Sequence, residues 1–202
     1  MNTEQRDALR VQRVLDLLAG RDLSRCRVLD LASRIGVFVA ALAAAGADVV
    51  GIEGRQSNIT QADADTRNRI VQDDVRNLSF ERYGSFDVSL CLGVLYHLEA
   101  EDAVSLLRTL RQVTTGMLIV DTHIGGAAEA IIMDGAEYTG MHVGDSDDPW
   151  GAIGNSRSWR FTPESLVAAL DDAGFAAIER IGGKAYPDEP DDRVWYVAQV
   201  SP

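Results

Sequence analysis

The sequence predicts an α/β fold, a doubly wound and mostly parallel sheet forming a single domain over residues 1–202. The first observation is the stretch Arg27 to Arg55, RVLDLASRIGVFVAALAAAGADVVGIEGR, which reads as strand, tight turn, helix and strand, with an acidic residue at the tip of both strands. The second is that short apolar strands and helical segments keep alternating beyond it, the pattern of a sheet whose helices cover both faces. The third is that 202 residues at 46% hydrophobic suffice to bury a core without help from disulfides or metals.

Each element has its own local reason. Thr3 to about Leu18 places Leu9, Val14, Leu17 and Leu18 on one broad face, so an amphipathic N-terminal helix is expected within 1–20, ended by Gly20. Val28, Leu29 and Leu31 make a buried strand, and the helix from Val37 to about Ala45 is apolar and small enough to lie flat on a sheet. Gly46 suits the end of that helix, and Asp48 to Ile52 is a second strand ending at Glu53. A polar helix is expected around Gln56 to Thr66, then strands at Arg69 to Gln72 and Phe86 to Leu92, a helix from about Ala103 to Val113, and a fifth strand at Met117 to Asp121. The run 124–158 breaks the alternation. It is rich in glycine and aspartate, shows too little apolar periodicity for a second core, and is expected to cap the ligand crevice. Thr162 and Pro163 open a helix to Asp172, Gly174 closes it, and strands at Ala176 to Ile181 and Val194 to Gln199 finish the chain.

The first strand, turn and second strand also carry a ligand prediction. A carboxylate at the tip of the second strand, roughly 20 residues after the first turn, is placed to take both hydroxyls of a ribose, and Glu53 is that residue. The turn Ala32-Ser33-Arg34-Ile35-Gly36 has one glycine, whereas close approach of a pyrophosphate needs G-x-G-x-x-G. Asp30, just before it, repels phosphate and suits an amine, directly or through water. A ligand with an ammonium group, a ribose and no phosphate fits best.

These residues resemble the class I S-adenosylmethionine-dependent methyltransferases, whose first motif is an aspartate followed by G-x-G-x-G. Ile70 to Leu78 (IVQDDVRNL) is similar to that family's third strand and acidic turn, Phe86 to Leu98 (FDVSLCLGVLYHL) to its fourth strand and following turn, and Phe161 to Phe175 (FTPESLVAALDDAGF) to the helix before its final hairpin. The resemblance covers most of the chain and implies a Rossmann-like sheet closed by an antiparallel C-terminal hairpin. It also implies S-adenosylmethionine as cofactor, with S-adenosylhomocysteine as product. On matching positions it implies that Asp30, Ala32 and Gly36 shape the methionine side, Glu53 with Gly54 the ribose side, and Asp74 with Val75 the adenine, Asp73 being the alternative to Asp74. Leu92 and Gly93 would offer backbone to the methionyl group. Ala32 and Arg34 replace the first two glycines of the family turn. Arg34 has three readings: folded into solvent, paired with the methionyl carboxylate, or partly blocking the pocket.

Methyl transfer from a sulfonium asks mainly for in-line positioning and exclusion of water, so catalytic residues leave little trace in sequence. His97 and His123, near the ends of strands four and five, are the candidate bases, each set against a plainer reading: His97 packing beside the cofactor or capping the next helix, His123 in a solvated turn. Asp121, His123, His142, Asp145, Asp147 and Asp148 are potential metal donors. Catechol-type members of the family hold a divalent ion at the ends of strands four and five, but strand four here ends Leu92-Gly93 without a carboxylate, and a solvated acidic turn is the better reading. No metal is therefore assigned. Tyr138, Trp150 and Trp159 are read either as an acceptor wall or as packing for the insertion. Arg10 or Arg13 of the N-terminal helix would close the other side of the pocket, with surface charge as the plainer alternative.

Lysine and arginine total 19 against 31 acidic residues, a formal charge of −12, and no basic stripe is visible. That balance argues against a nucleic-acid partner and for a small, neutral or cationic acceptor, with a homodimer as the further possibility. Cys26 and Cys91 read as small core residues in a reducing compartment, and no signal peptide or long apolar span is present, so a cytoplasmic, membrane-free protein is expected. Three rivals stand beside the methyltransferase reading: a catalytically silent binding or regulatory relative, an aminopropyl-type transferase, and a tRNA-modifying methyltransferase suggested by LYHL and the DDPW…SWRFTPESL run.

Overall fold

A computed structural model describes residues 1–144, 153–155 and 157–201. Its elements, in chain order, are α1 (Thr3–Leu17), β1 (Arg27–Leu31), α2 (Val37–Ala44), β2 (Asp48–Glu53), α3 (Gln56–Ile59), α4 (Ala64–Arg67), β3 (Ile70–Gln72), α5 (Phe80–Tyr83) and β4 (Phe86–Leu92). There follow α6 (Ala100–Val113), β5 (Thr114–His123), β6 (Glu129–Met133), β7 (Ala136–Gly144), β8 (Arg157–Phe161), α7 (Pro163–Asp172), β9 (Ala176–Ile181) and β10 (Arg193–Gln199). The main sheet runs β3-β2-β1-β4-β5-β10-β9, and β6, β7 and β8 form a separate three-stranded sheet. β3, β2, β1, β4 and β5 are mutually parallel, while β10 is antiparallel to both β5 and β9. The strand order reverses between β1 and β4, and their carboxyl ends open the crevice at which ligands bind in such sheets.

Strand alternation builds a core on each face. Val28, Leu90 and Ile119 point to the side covered by α1 and α2, where Val14, Leu18, Phe38 and Leu42 are buried. Leu29, Leu31, Cys91, Leu118 and Val120 point to the other side, against Val104, Leu107 and Leu110 of α6 and Leu166 and Leu170 of α7. Most helix ends carry the expected caps. The Asn2 side chain and Gln5 form a reciprocal capping box at α1, and Thr162 accepts from the Ser165 backbone with Pro163 at the first position of α7.

The structure corrects the sequence reading in two places. The single polar helix expected at 56–66 is two short ones, α3 and α4, because the Asp63 side chain caps a fresh start by accepting from the Thr66 backbone and hydroxyl. The run after β5 is not a loop cap without a core. β6, β7 and β8 pair antiparallel there, and Tyr138, Trp159 and Phe161 sink into the α6/α7 core, all but fully buried. Burial of each such ring is worth about 2–3 kcal/mol, enough to hold a small sheet whose apolar spacing is weak. Tyr138 and Trp159 are therefore packing residues and not an acceptor wall. Trp150, Asp145, Asp147 and Asp148 lie outside the described residues. Among the described residues no helix is long and apolar enough to cross a membrane.

Candidate active site

The carboxyl ends of β1, β2, β3 and β4, with α1 and β10 closing one side, surround a cavity of about 450 Å³. Ala32, Arg34, Glu53, Gly54, Asp73, Asp74, Val75, Leu92, Gly93 and His97 all line it, so most of the expected cofactor positions converge on one space. Asp30, Gly36 and His123 are not among its lining residues.

Glu53 stands at the tip of β2, 4% exposed. Its Oε2 accepts from the Arg34 backbone at 2.9 Å, and its Oε1 accepts from the Arg55 backbone at 2.8 Å and from Asn58 Nδ2 at 3.1 Å. These donors fix the carboxylate in orientation and leave acceptor capacity toward the cavity. Gly54 follows because the space beside it is taken: a Cβ there would lie 2.5 Å from Ile153 Cδ1.

The adjacent acids on β3's exit differ sharply. Asp73 is nearly buried, and its oxygens accept from the Asp74 backbone, from Asn77 Nδ2 and from the Tyr83 hydroxyl, with Arg82 at 3.0 Å. Burial opposes its charge, but those hydrogen bonds outweigh it and hold the carboxyl below its ordinary range. Asp74 is gripped by Arg76, which donates from its backbone, Nε and Nη2, and this pairing lowers its pKa. Arg76 also reaches the Ile153 carbonyl, so Asp74, Arg76 and Ile153 form one wall of the cavity.

The first turn explains its own sequence departures. Ala32 and Arg34 sit at φ 51° and 53°, the left-handed region in which glycine is at ease and a Cβ is strained. The family's glycines would occupy these positions without cost; here side chains occupy the same backbone shape. Arg34 projects toward Asp7 of α1, Nη1 to Oδ2 at 3.8 Å, and lines the cavity, so it is neither wholly solvated nor remote. Gly36 has a different duty from the one expected. It caps α2 at φ 78°, and a Cβ would lie 2.3 Å from Thr66 Cγ2, so it makes room for α4 and does not touch the cavity.

Asp30 lies behind the turn, wholly buried, in a second small cavity of about 30 Å³ shared with Asp7, Arg10, Ala32, Ser33, Arg34 and Leu92. One of its oxygens, Oδ2, has no hydrogen-bond partner. Burial raises its pKa to about 7, with Arg10 opposing and Glu53 adding to the rise. A buried orphan carboxylate oxygen next to the cofactor turn is the feature an ammonium group would satisfy, so the donor set fits the expected ligand.

Sequence reading gave too little weight to the opposite side of the cavity. Asp121, fully buried at the end of β5, receives Arg193 Nε at 2.6 Å and Nη2 at 2.7 Å, and Arg10 Nη2 at 2.7 Å. Burial works against the Arg193 charge, but Asp121 more than compensates and raises its pKa further. Asp121's oxygens are thus committed to two guanidinium groups. Arg10 does face the cavity, whereas Arg13 turns to the carbonyls of residues 181–183 and the Trp195 ring. The signal for Arg10 was its place on the inner side of α1; nothing local marked Arg193 as its companion.

The two histidines separate. His97 ends a short turn, Leu95–His97, at the cavity wall with its ring 4.2 Å from that of Tyr96. His123 is held behind Tyr96, ring edge on ring face at 4.6 Å, with Nδ1 3.1 Å from Asp192 Oδ1. Burial lowers its pKa. β5 runs on two residues past Asp121, and its pairing with β10 puts His123 opposite Arg193, off the cavity. Tyr96 lines the cavity directly and was not singled out from sequence.

Residues 29–119 match the methyltransferase domain family. The ubiquinone biosynthesis O-methyltransferase of Azorhizobium caulinodans is 32% identical over 171 residues, 80% of this chain and 63% of that protein, so the chain spans under two thirds of this relative's length. Among solved structures, the N-terminal domain of EvdMO1 in the presence of S-adenosylhomocysteine and D-fucose is 25% identical with a TM-score of 0.78, covering 99% of this chain and 85% of that one. Magnesium protoporphyrin IX methyltransferase from Synechocystis PCC 6803, with bound S-adenosylhomocysteine, shares the fold at 19% identity and a TM-score of 0.67, covering 100% and 89%. The motif order and the sheet agree with these matches: the chain carries a methyltransferase domain match over residues 29–119 and has the Rossmann-like fold of the class I S-adenosylmethionine-dependent methyltransferases.

Proposed function

We propose that this protein methylates a small-molecule acceptor, using the 450 Å³ cavity to hold S-adenosylmethionine and acceptor side by side. The observation that carries the reading is Glu53, buried at the tip of β2 with its carboxylate fixed by three donors and facing the cavity. Glu53 would hold the ribose hydroxyls, Asp74 and Val75 the adenine edge, Asp30 the ammonium, and Leu92 and Gly93 the chain between. Bound S-adenosylmethionine supplies an already activated methyl group. What remains for the protein is to orient, to exclude water and to accept a proton where the acceptor carries one. α1 closes the side of the cavity with Thr3, Arg6 and Arg10, and His97 is the imidazole at the wall able to take that proton. The ubiquinone O-methyltransferase relative and the D-fucose in the EvdMO1 crystal support a small acceptor over a macromolecular one.

Titration calorimetry with S-adenosylmethionine and S-adenosylhomocysteine tests the cofactor half. Wild-type protein is expected to bind both, and Glu53→Ala to weaken each by ~100-fold, the loss of two charge-assisted hydrogen bonds. Absence of binding to wild-type protein would overturn the reading. A second reading, a catalytically silent binding relative, is favoured by one observation: side chains at Ala32 and Arg34 where the family turn has glycine. It predicts no cofactor binding, or cofactor binding without turnover against any acceptor in a methyl-donor consumption screen.

A further inference from the structure

The net charge of −12 pointed to a neutral or cationic acceptor, but the charged side chains that line one side of the cavity are arginines. The cavity's acids, Glu53, Asp73 and Asp74, all lie on the β2 and β3 side. The other side is lined by Thr3, Arg6, Arg10, Tyr96, His97 and Arg193, with no carboxylate among them. The carboxylates that face these arginines from neighbouring elements are Asp7 on α1, Asp121 beneath on β5, and Asp188. Asp121 is fully buried and already shared by two guanidinium groups, while Asp188 holds Arg6 from the surface at 2.6 Å.

Gly93 shows where these donors converge. It sits at φ 80°, and a Cβ built on it would lie 3.3 Å from Arg193 Nη2, 3.6 Å from the Tyr96 hydroxyl and 3.8 Å from Arg10 Nη2. Each Nη2 spends one hydrogen on Asp121 and keeps a second, and the Tyr96 hydroxyl is a third donor. The part of the cavity in front of Gly93 is therefore bordered by three donors, on α1, on the turn after β4 and on β10, two of them cationic.

We propose that this part of the cavity, beside Arg10, Tyr96 and Arg193, is an oxyanion subsite, and that the acceptor carries a carboxylate or a similar anionic oxygen group which it holds. The inference rests on the methyltransferase reading above. The cofactor's own carboxylate is the other source of the same chemistry. Its ammonium and carboxylate share one carbon, so an ammonium satisfying the orphan Asp30 oxygen keeps that carboxylate beside Arg34 and Arg10, which line the same small cavity. Tyr96, Arg6 and Arg193 line only the large cavity and remain for the acceptor. A forked guanidinium pair fixes a planar carboxylate in orientation as well as position, which is what in-line transfer to another atom of the same molecule requires.

The test uses benzoate and its neutral isostere benzamide on the full chain, first free and then saturated with S-adenosylhomocysteine, followed by ligand-observed NMR and calorimetry. The loaded protein is expected to bind benzoate ~10-fold more tightly than benzamide. Tyr96→Phe, which leaves the Asp121 pair intact, is expected to weaken benzoate several-fold with no change in S-adenosylhomocysteine affinity. Equal affinity for benzoate and benzamide would overturn the subsite. Benzoate bound by the free protein but displaced by S-adenosylhomocysteine, or a Tyr96→Phe variant that weakens S-adenosylhomocysteine itself, would assign the subsite to the cofactor carboxylate and overturn the acceptor claim. Failure of S-adenosylhomocysteine to bind wild-type protein would bring down the methyltransferase reading and this inference together, an outcome distinct from the others.

Discussion

The two ends of the cavity are built from the same chemistry, carboxylates held by N–H donors, but at different ranges along the chain. At the β2–β3 end the partners are close in sequence: Glu53 takes donors from Arg34, Arg55 and Asn58, and Asp74 is gripped by Arg76 two residues on. At the α1–β10 end Asp121 is held by Arg10 and Arg193, 111 and 72 positions away. A locally satisfied acid keeps its partners whenever its own loop forms. The distant cluster exists only when three elements dock, and it ties α1 to the sheet.

The most direct way to break this contrast is Asp121→Asn. Two guanidinium groups would lose their buried counter-charge, and a stability loss of about 3–5 kcal/mol in urea unfolding is expected. A loss below ~1 kcal/mol would mean that the cluster is solvated and that α1 is held by other contacts.

Asp30 sharpens the comparison from the small cavity behind the first turn, where one carboxylate oxygen has no hydrogen-bond partner. Burial lifts its pKa from the ordinary 3.8 to about 7 in the folded state. Between those values the folded state holds the proton more tightly than the unfolded state. Its contribution is therefore fully present below pH 3.8 and is lost as pH rises to about 7, at up to ~1.4 kcal/mol per pH unit. Asp30→Asn should lack that slope, so the stability difference between variant and wild type should change with pH across this range. Parallel pH-stability curves would sink the assignment.

The neighbouring acids at the β3 exit separate stability from binding. Asp73→Ala strips the Asn77, Tyr83 and Arg82 contacts and should cost about 2 kcal/mol of stability. Asp74→Ala should leave stability nearly unchanged while weakening S-adenosylmethionine by ~10-fold, read by thermal unfolding and calorimetry side by side. The reverse pattern would hand the adenine to Asp73. The smallest effect is expected at the turn. Ala32→Gly relieves a strained φ at the expense of greater freedom in the unfolded chain, for a net gain near 0.5 kcal/mol and a rise in Tm of about 1–2 °C. A fall in Tm would show that the Ala32 methyl packs usefully against the core.

Particular residues show what was legible in advance. Glu53 could be found because a strand, a glycine-poor turn and a spacing of about 20 residues are all local features. Thr162 and Pro163 opened a helix as expected because capping is a matter of adjacent residues. The split of α3 from α4 was missed, although Asp63 was its visible signal. The small sheet was missed for a different reason. Its strands carry few apolar residues each, and Tyr138 and Trp159 become core only because α6 and α7 lie beneath them.

The sequence by itself determined the strands and helices of the main sheet, its two-faced core and the place of Glu53 at the tip of β2, since each depends on periodicity or spacing over a few turns of chain. Only the tertiary structure decided that Gly36 makes room for α4, that Asp73 and Asp74 both line the cavity but take different partners, that His123 stands behind Tyr96, and that Arg10, Tyr96 and Arg193 meet near Gly93. Those outcomes depend on which side chains arrive together from distant elements, and the sheet order β1-β4-β5-β10 brings them there. A formal charge of −12 describes the whole surface, whereas the field at one end of a cavity is set by the few groups within some 4 Å of it.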